Sequence, residues 1–318
     1  MRSVHWFSWL LGLALLATVV GAALHFTEER EFLRVAEYAH PWWLGAALAL
    51  QAATYLAQGA TWRVVARAGG VSVSRALAYK LSLAQLFVDQ ALPSGGISGT
   101  VVVARAFERR GVPRAVVMAS VLVDAVAYYL AYVLVVGAAL VAAQARGQVT
   151  PLVLALALVL VAFSVALTTA ALALAGSPDA LPQWLGRIAL INTALALIGA
   201  ADRTLARSLP LIAKSVLFHA AIVLLDAATL WVLIRSLGAI ASPVDVYTSF
   251  IASSLLRTIS IVPGGLGVFE AASVVTLQHV GVALPVALAA TLMFRGLSFW
   301  LPMVPGIVCS RELQRAPG

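Results

Sequence analysis

Apolar runs long enough to cross a bilayer recur along this chain, and they fix its fold class before any other feature is weighed. A helix needs about 20 residues to span roughly 30 Å of hydrocarbon. Residues 6–24, 43–66, 116–143, 151–175, 211–234 and 285–308 each form a run of about that length. None alternates polar and apolar residues as a barrel strand does, so helices are predicted. Only 11% of the residues are charged against 62% hydrophobic, too few to clothe a surface in water. The expectation is an all-α polytopic membrane protein with about six transmembrane helices.

A net charge of +8 suggests nucleic acid in a soluble chain, but here Lys and Arg fall in short segments between the runs. With the amino terminus in the cytoplasm, Arg63, Arg67, Arg75, Lys80, Arg105, Arg109, Arg110, Arg114, Arg187, Arg203, Arg207, Arg311 and Arg315 face inward. The outer loops keep Arg30, Arg34 and Arg146. This distribution follows the positive-inside rule and predicts a multi-pass protein of the bacterial inner membrane with both termini cytoplasmic. No nucleic acid is expected as a partner. Residues 6–24 have a signal-peptide reading too, but the length of the run and the short acidic loop at 25–41 favour a retained span. Residues 182–208 have an apolar centre at 188–200, too short to cross upright. They are expected to lie on the inner surface as an amphipathic helix, with a tilted crossing as the alternative.

Two regions fit neither a span nor a loop. Residues 72–110 are mostly apolar but broken by Pro93-Ser94-Gly95-Gly96; residues 242–281 are broken by Pro263-Gly264-Gly265-Leu266-Gly267. Proline removes a backbone donor and glycine tolerates left-handed angles, so each break can turn the chain back inside the membrane. Two re-entrant helical hairpins are predicted. Displacing the sequence by 170 residues superposes Pro93 on Pro263, Gly95 on Gly265 and Gly111 on Gly281. The chain then reads as a single membrane domain, 1–318. A first span and acidic outer loop (1–41) precede a unit of span, hairpin and span (42–145). A connecting span with the surface helix (146–210) leads to a second such unit (211–310). Three crossings separate equivalent points of the units, and an odd number inverts the second. Transporters use such inverted repeats to reach inward and outward states of similar energy. The plainer alternative is that the glycines and prolines only let helices pack closely.

Irregular backbone at membrane depth must line a cavity or be buried in protein, so the breaks mark the expected site. The half-helix after each break offers free N–H groups and a positive dipole end, which suit a phosphate. The candidate substrate-binding residues are Pro93, Ser94, Gly95, Gly96, Pro263, Gly264, Gly265 and Gly267, with the ionisable Asp124, Asp226, Arg257, Glu270 and Arg295. Each such charge costs about 2.5–3.5 kcal/mol at a helix centre unless paired. Asp124 falls opposite Arg295 within one residue in the repeat, which would place opposite charges at one central site. Arg257 and Glu270 flank the second break and are spaced to meet across its arms.

Other chemistries find little support. Gly96-Ile97-Ser98-Gly99 matches the short G-x-S-G of intramembrane serine proteases, with Ser98 as nucleophile. The last predicted span carries no histidine base, and Asn192, the only asparagine, lies in the surface segment. The single cysteine, Cys309, permits no disulfide within the chain, and the histidines are scattered, so no metal or other cofactor is expected. Neither glycine cluster is followed by Lys-Ser or Lys-Thr, which excludes a nucleotide-binding loop.

The string Ser260-Ile-Val-Pro-Gly-Gly-Leu-Gly-Val-Phe-Glu270, with Leu92-Pro-Ser-Gly-Gly-Ile before it, resembles the membrane domain of the lysylphosphatidylglycerol synthase and flippase proteins. These are the bacterial multiple peptide resistance factors, and their wider family includes stand-alone flippase-like proteins. The likeness runs from about residue 40 to 310. It implies movement of an aminoacylated phospholipid, or of a hopanoid or polyprenol-linked lipid, between leaflets. By that resemblance the site residues are Pro263, Gly264, Gly265, Gly267 and Glu270, with Pro93, Gly95 and Gly96 from the first break. The fused synthases continue into a soluble transferase domain, whereas this sequence stops at Gly318, so aminoacyl transfer is not expected. The expected function is a lipid flippase, a transporter and not an enzyme. Its expected partners are membrane lipids and a separate lipid-modifying enzyme, with a homodimer as a further option. A small-solute carrier and a membrane-embedded glycosyl or aminoacyl transferase component are the alternatives. For the transferase, Glu28, Glu29 and Glu31 offer carboxylates but no ordered motif.

Overall fold

The computed structural model describes residues 40–91, 97–147, 151–175, 199–260 and 262–315, and every regular element among them is helical. The expected span at 6–24, the acidic loop, the first break at 93–96 and most of the surface segment lie outside the described residues. In chain order the helices are α1 (Pro41–Ala68), α2 (Arg75–Ala91), α3 (Ile97–Glu108), α4 (Arg114–Gln144) and α5 (Pro151–Leu174). There follow the short α6 (Arg203–Ala206), α7 (Leu209–Ser236), α8 (Pro243–Ile259), α9 (Val268–His279), α10 (Leu284–Arg295) and α11 (Leu301–Gln314). A 3-10 turn, Pro263–Gly265, lies between α8 and α9, and a π turn, Gly296–Trp300, joins α10 and α11 into one rod.

Among the described residues, three helices are long and apolar enough to cross a membrane: α4, α7 and the α10–α11 rod. The predicted crossings at 43–66 and 151–175 are present as helices of 28 and 24 residues. The first has the length of a span, but Gln51, Thr54, Gln58 and Arg63 interrupt its apolar surface. Those polar residues are put to use inside the protein, as the site shows below.

Helix ends follow local chemistry. Prolines open α1, α7, α8 and α10 in the first turn, where the missing N–H has no partner to lose. α1 stops at Gly70 (φ 80°), where Val71 N–H reaches the Ala66 carbonyl and Gly70 N–H reaches Arg67. α7 stops in the same way at Gly238 (φ 78°), with Ala239 bonded to Ile234 and Gly238 to Arg235. This paired closure of the last turn needs a left-handed residue, which glycine supplies at least cost.

The lengths recur along the chain. α1 and α7 have 28 residues each, α2 and α8 have 17, and α3 and α9 have 12. At 1.5 Å per residue the last four are about 25 and 18 Å long, short of the hydrocarbon thickness. α2 packs on α3 and α8 on α9, so each pair forms a hairpin. α1 lies along α7, with Trp43 edge-on to Trp231 at 6.3 Å. The remaining packing is reciprocal: α11 runs against α2, and α4 against α8. Lys80 of α2 pairs with Glu312 of α11, and Asp245 of α8 pairs with Arg146 just beyond α4.

Apolar burial does not drive helices together in lipid as it does in water, so close packing of small residues does much of the work. A Cβ on Gly306 of α11 would lie 2.6 Å from Phe87 Cβ and 2.7 Å from the Leu83 carbonyl of α2. On Gly59 of α1 it would lie 3.0 Å from the Ala78 backbone. Among the described residues three apolar clusters result: one around α2, α3 and the first half of α4, one around α7 to α10, and a small one of Val262, Leu266 and Phe299 at the turn of the second hairpin. Ala220 packs against the first two, and the polar site lies along this seam.

Candidate functional site

Where α1, α4 and α7 meet, polar side chains project into the seam. On the side of the first hairpin, Asp124 of α4 is buried at 7% exposure. Its Oδ1 accepts from Gln58 Nε2 of α1 at 3.1 Å and lies 3.0 Å from His219 Nε2 of α7. The Gln58 amide also lies 3.4 Å from Gln85 Oε1 of α2, which accepts from Trp62 Nε1 at 3.1 Å. Further along α2, Asp89 accepts from the Gly99 backbone N–H of α3 at 2.8 Å and so ties the hairpin's two arms. A Cβ at Gly99 would stand 2.4 Å from the Gln85 carbonyl, so the arms approach at this closeness only with glycine there.

On the side of the second hairpin a second carboxylate is buried against a basic partner. Glu270, in the first turn of α9, is fully buried. Arg295 Nε of α10 donates to its Oε1 at 2.7 Å, and a second guanidinium nitrogen donates to the Gly264 carbonyl at 2.9 Å. The Arg295 guanidinium also lies 4.5 Å from the Phe299 ring centre and 5.5 Å from that of Phe269. Glu270 Oε2 has no hydrogen-bond partner among the described residues. Next to this pair, the half-buried Arg257 of α8 carries its aliphatic stem against Gly265. Its guanidinium faces Tyr128, Tyr132 and Asp226 and lies 5.9 Å from the Phe269 ring centre. Among the described residues no carboxylate comes within 4 Å of it. Asp226 is taken by Gln51, which donates to it at 2.8 Å and to Thr229 at 3.1 Å.

The turn of the second hairpin and the π turn both meet α2. The Pro263–Gly265 turn packs against α2. Gln90, at the end of α2, donates to the Ser298 carbonyl at 3.2 Å. That carbonyl belongs to the π turn, and a widened turn leaves a carbonyl outside the regular helical ladder. Polar positions also recur by rank within the paired helices. Gln51 and His219 are each the eleventh residue of α1 and α7, and Gln58 and Asp226 each the eighteenth. Asp89 and Arg257 are each the fifteenth of α2 and α8, and Gly99 and Glu270 each the third of α3 and α9.

A family model for the lysylphosphatidylglycerol synthase TM region matches residues 9–306. The chain belongs to that family. It is a membrane protein, built on helices apolar enough for lipid. No curated protein matched it.

In this lysylphosphatidylglycerol synthase TM-region protein the expected charge pairs are partly rearranged. Glu270 takes Arg295 and not Arg257, because Gly265 fixes the Arg257 stem while its head faces α4 and α7. Asp124 and Arg295 lie within one residue of matching places, the eleventh of α4 and the twelfth of α10, but do not pair; each binds its own partner, His219 and Glu270. The amino end of α9, expected to be open for a phosphate, already holds the Glu270 carboxylate, which is the favourable sign there. Pro263, Gly264, Gly265 and Gly267 do form an irregular turn, with three of the glycines at φ 60° to 78°. Sequence reasoning missed Gln51, Gln58, Gln85 and the role of His219. Their matched ranks were the available signal, and reading it required the helix starts.

Proposed function

We propose that this chain moves a phosphate-bearing lipid between leaflets of the bacterial inner membrane, with both termini cytoplasmic and the two hairpins re-entering from opposite faces. The repeat of helix lengths 28, 17 and 12, the reciprocal packing and the matched polar ranks support two inverted units. Family membership supports a lipid as the substrate. The observation that carries the reading is Arg257. A guanidinium at membrane depth is costly, and among the described residues Arg257 has no carboxylate within 4 Å, its nearest acidic neighbour Asp226 being held by Gln51; such residues mark substrate pathways. An anionic headgroup would complete it, reaching the guanidinium from the side of Tyr128 and Tyr132, next to the turn of the second hairpin. Acyl chains stay in lipid, where the apolar outer faces of α4 and α7 need no change. Asp124 is held by His219 and Gln58, Glu270 by Arg295 and Asp226 by Gln51.

The test is exchange of a fluorescent phosphatidylglycerol in proteoliposomes, read by chemical quenching of the outer leaflet. A charge-assisted hydrogen bond contributes about 1.5–3 kcal/mol, so Arg257→Ala is expected to slow exchange at least about tenfold. Ser98→Ala is expected to exchange at the wild-type rate, whereas a protease depends on that hydroxyl. Wild-type rates in Arg257→Ala would remove this site from translocation.

A further inference from the structure

We infer that the Asp124–His219 pair is a proton-binding site that couples lipid movement to a transmembrane proton gradient. The inference rests on the translocation reading and adds the source of its driving force. The pair is 7% and 6% exposed, joins α4 to α7, and spans the boundary between the two units. Its counterparts cannot do the same job. Within one residue of the place matching Asp124 stands Arg295, whose guanidinium keeps its proton throughout the accessible range. At the place matching His219 stands Gln51, an amide that does not titrate. One half of the molecule therefore carries a fixed charge pair and the other a pair whose charge changes by one unit. An imidazole can take up and release a proton, which neither a guanidinium nor an amide does.

The groups facing the pair are few. Asp89 approaches from α2, and Tyr128 of α4 lies edge-on to the His219 ring with centres 5.8 Å apart. α1 supplies the neutral Gln58, and α5 has no titratable residue. Arg105 and Glu108 of α3 lie toward its far end from Gly99, and Asp202 and Arg203 beside α6 meet the start of α4 at Ala115. On α7 itself Lys214 and Asp226 are more than a turn away, Asp226 being held by Gln51 with Tyr55 beside it. Arg257 of α8 lies beyond Tyr128.

A proton arriving from one solution converts carboxylate plus neutral imidazole, net one negative charge, into carboxylate plus imidazolium, net zero. It leaves to the other solution when the pair faces that side. The change reaches the first hairpin through atoms already in contact: Asp124 to Gln58, Gln58 to Gln85, and along α2 to the Asp89–Gly99 link. Proton occupancy thus alters the hold on one hairpin while the Glu270–Arg295 pair keeps the other fixed.

The experiment imposes a gradient of about two pH units on proteoliposomes carrying fluorescent phosphatidylglycerol and follows both label and internal pH. For one proton per lipid each pH unit is worth about tenfold in distribution. Protonation removes one negative charge from the path of an anionic headgroup, so proton and lipid travel together, and wild-type protein is expected to enrich the label at least about tenfold in the leaflet facing the alkaline solution. Internal pH moves in step, and a protonophore abolishes both. His219→Gln keeps an amide facing Asp124, as Gln51 does in the matching place, but takes no proton. It is expected to exchange label down its gradient without any response to pH. Exchange by the wild type that ignores the gradient overturns the coupling alone. Absence of exchange in the wild type under every condition overturns the translocation reading and the coupling with it. A His219→Gln protein that still accumulates label against its gradient assigns the proton elsewhere and overturns the site. Should that variant fail to fold, the wild-type gradient response decides.

Discussion

Arg295→Met will lower stability by about 3–5 kcal/mol, because it removes one partner of a buried ion pair and strands the other. The side chains of Arg295 and Glu270 are 4% and 1% exposed, so water reaches neither. Glu270 Oε2 is already without a partner among the described residues, which leaves Arg295 as the group that balances the carboxylate. The same change frees the Gly264 carbonyl and takes the cation from the face of Phe299. Methionine matches much of the arginine stem, so the loss is electrostatic and not a cavity effect. Removing both charges in Arg295→Met with Glu270→Gln is expected to restore about half of the loss or more, since no charge is then left buried alone. Unfolding of the purified protein in mixed micelles measures all three variants against wild type. A coupling below about 1 kcal/mol would show that the two charges do not depend on each other.

Glu270 for this reason serves translocation poorly as a test residue. A Glu270 variant that loses exchange has also lost the counter-charge of Arg295. Arg257, half-buried and without a carboxylate within 4 Å among the described residues, separates folding from function more cleanly.

The helices were legible because apolar runs of this length have few alternatives. The runs at 43–66, 116–143 and 211–234 fall within two residues of the ends of α1, α4 and α7. Gly70 and Gly238, with Gly111 and Gly281, close α1 and α7, α3 and α9 through left-handed angles, which is why glycine spacing exposed the repeat. Charge pairing was not legible in the same way. Glu270 is thirteen positions from Arg257 and twenty-five from Arg295, yet pairs with the more distant residue, because rotamer direction and Gly265 decide which head reaches it. Neutral amides were the weakest signal. Gln51, Gln58 and Gln85 scarcely disturb hydropathy, but each is partnered across helices because an unsatisfied amide is costly in lipid.

Gly265→Ala is expected to slow lipid exchange as much as Arg257→Ala, without touching the charge itself. Gly265 has φ 61°, where alanine costs about 1–2 kcal/mol. Its added Cβ would stand 2.2 Å from Arg257 Cγ and 3.2 Å from both Cβ and Cδ. A clash with the root of a side chain cannot be relieved by swinging its tip, so the whole arginine must move and its guanidinium leaves Tyr128 and Tyr132. Gly264→Ala pays the same backbone strain but meets Phe299, 2.3 Å from the ring, so it disturbs the Arg295 stack and leaves Arg257 in place. The two neighbours therefore divide the site: Gly264→Ala is read as lost stability with exchange per folded molecule retained, Gly265→Ala as lost exchange. Combining Gly265→Ala with Arg257→Ala should slow exchange no further than either alone, since both act through one guanidinium. Additive losses in that pair, or normal exchange in a folded Gly265→Ala protein, would mean that Gly265 does not position Arg257 for the lipid.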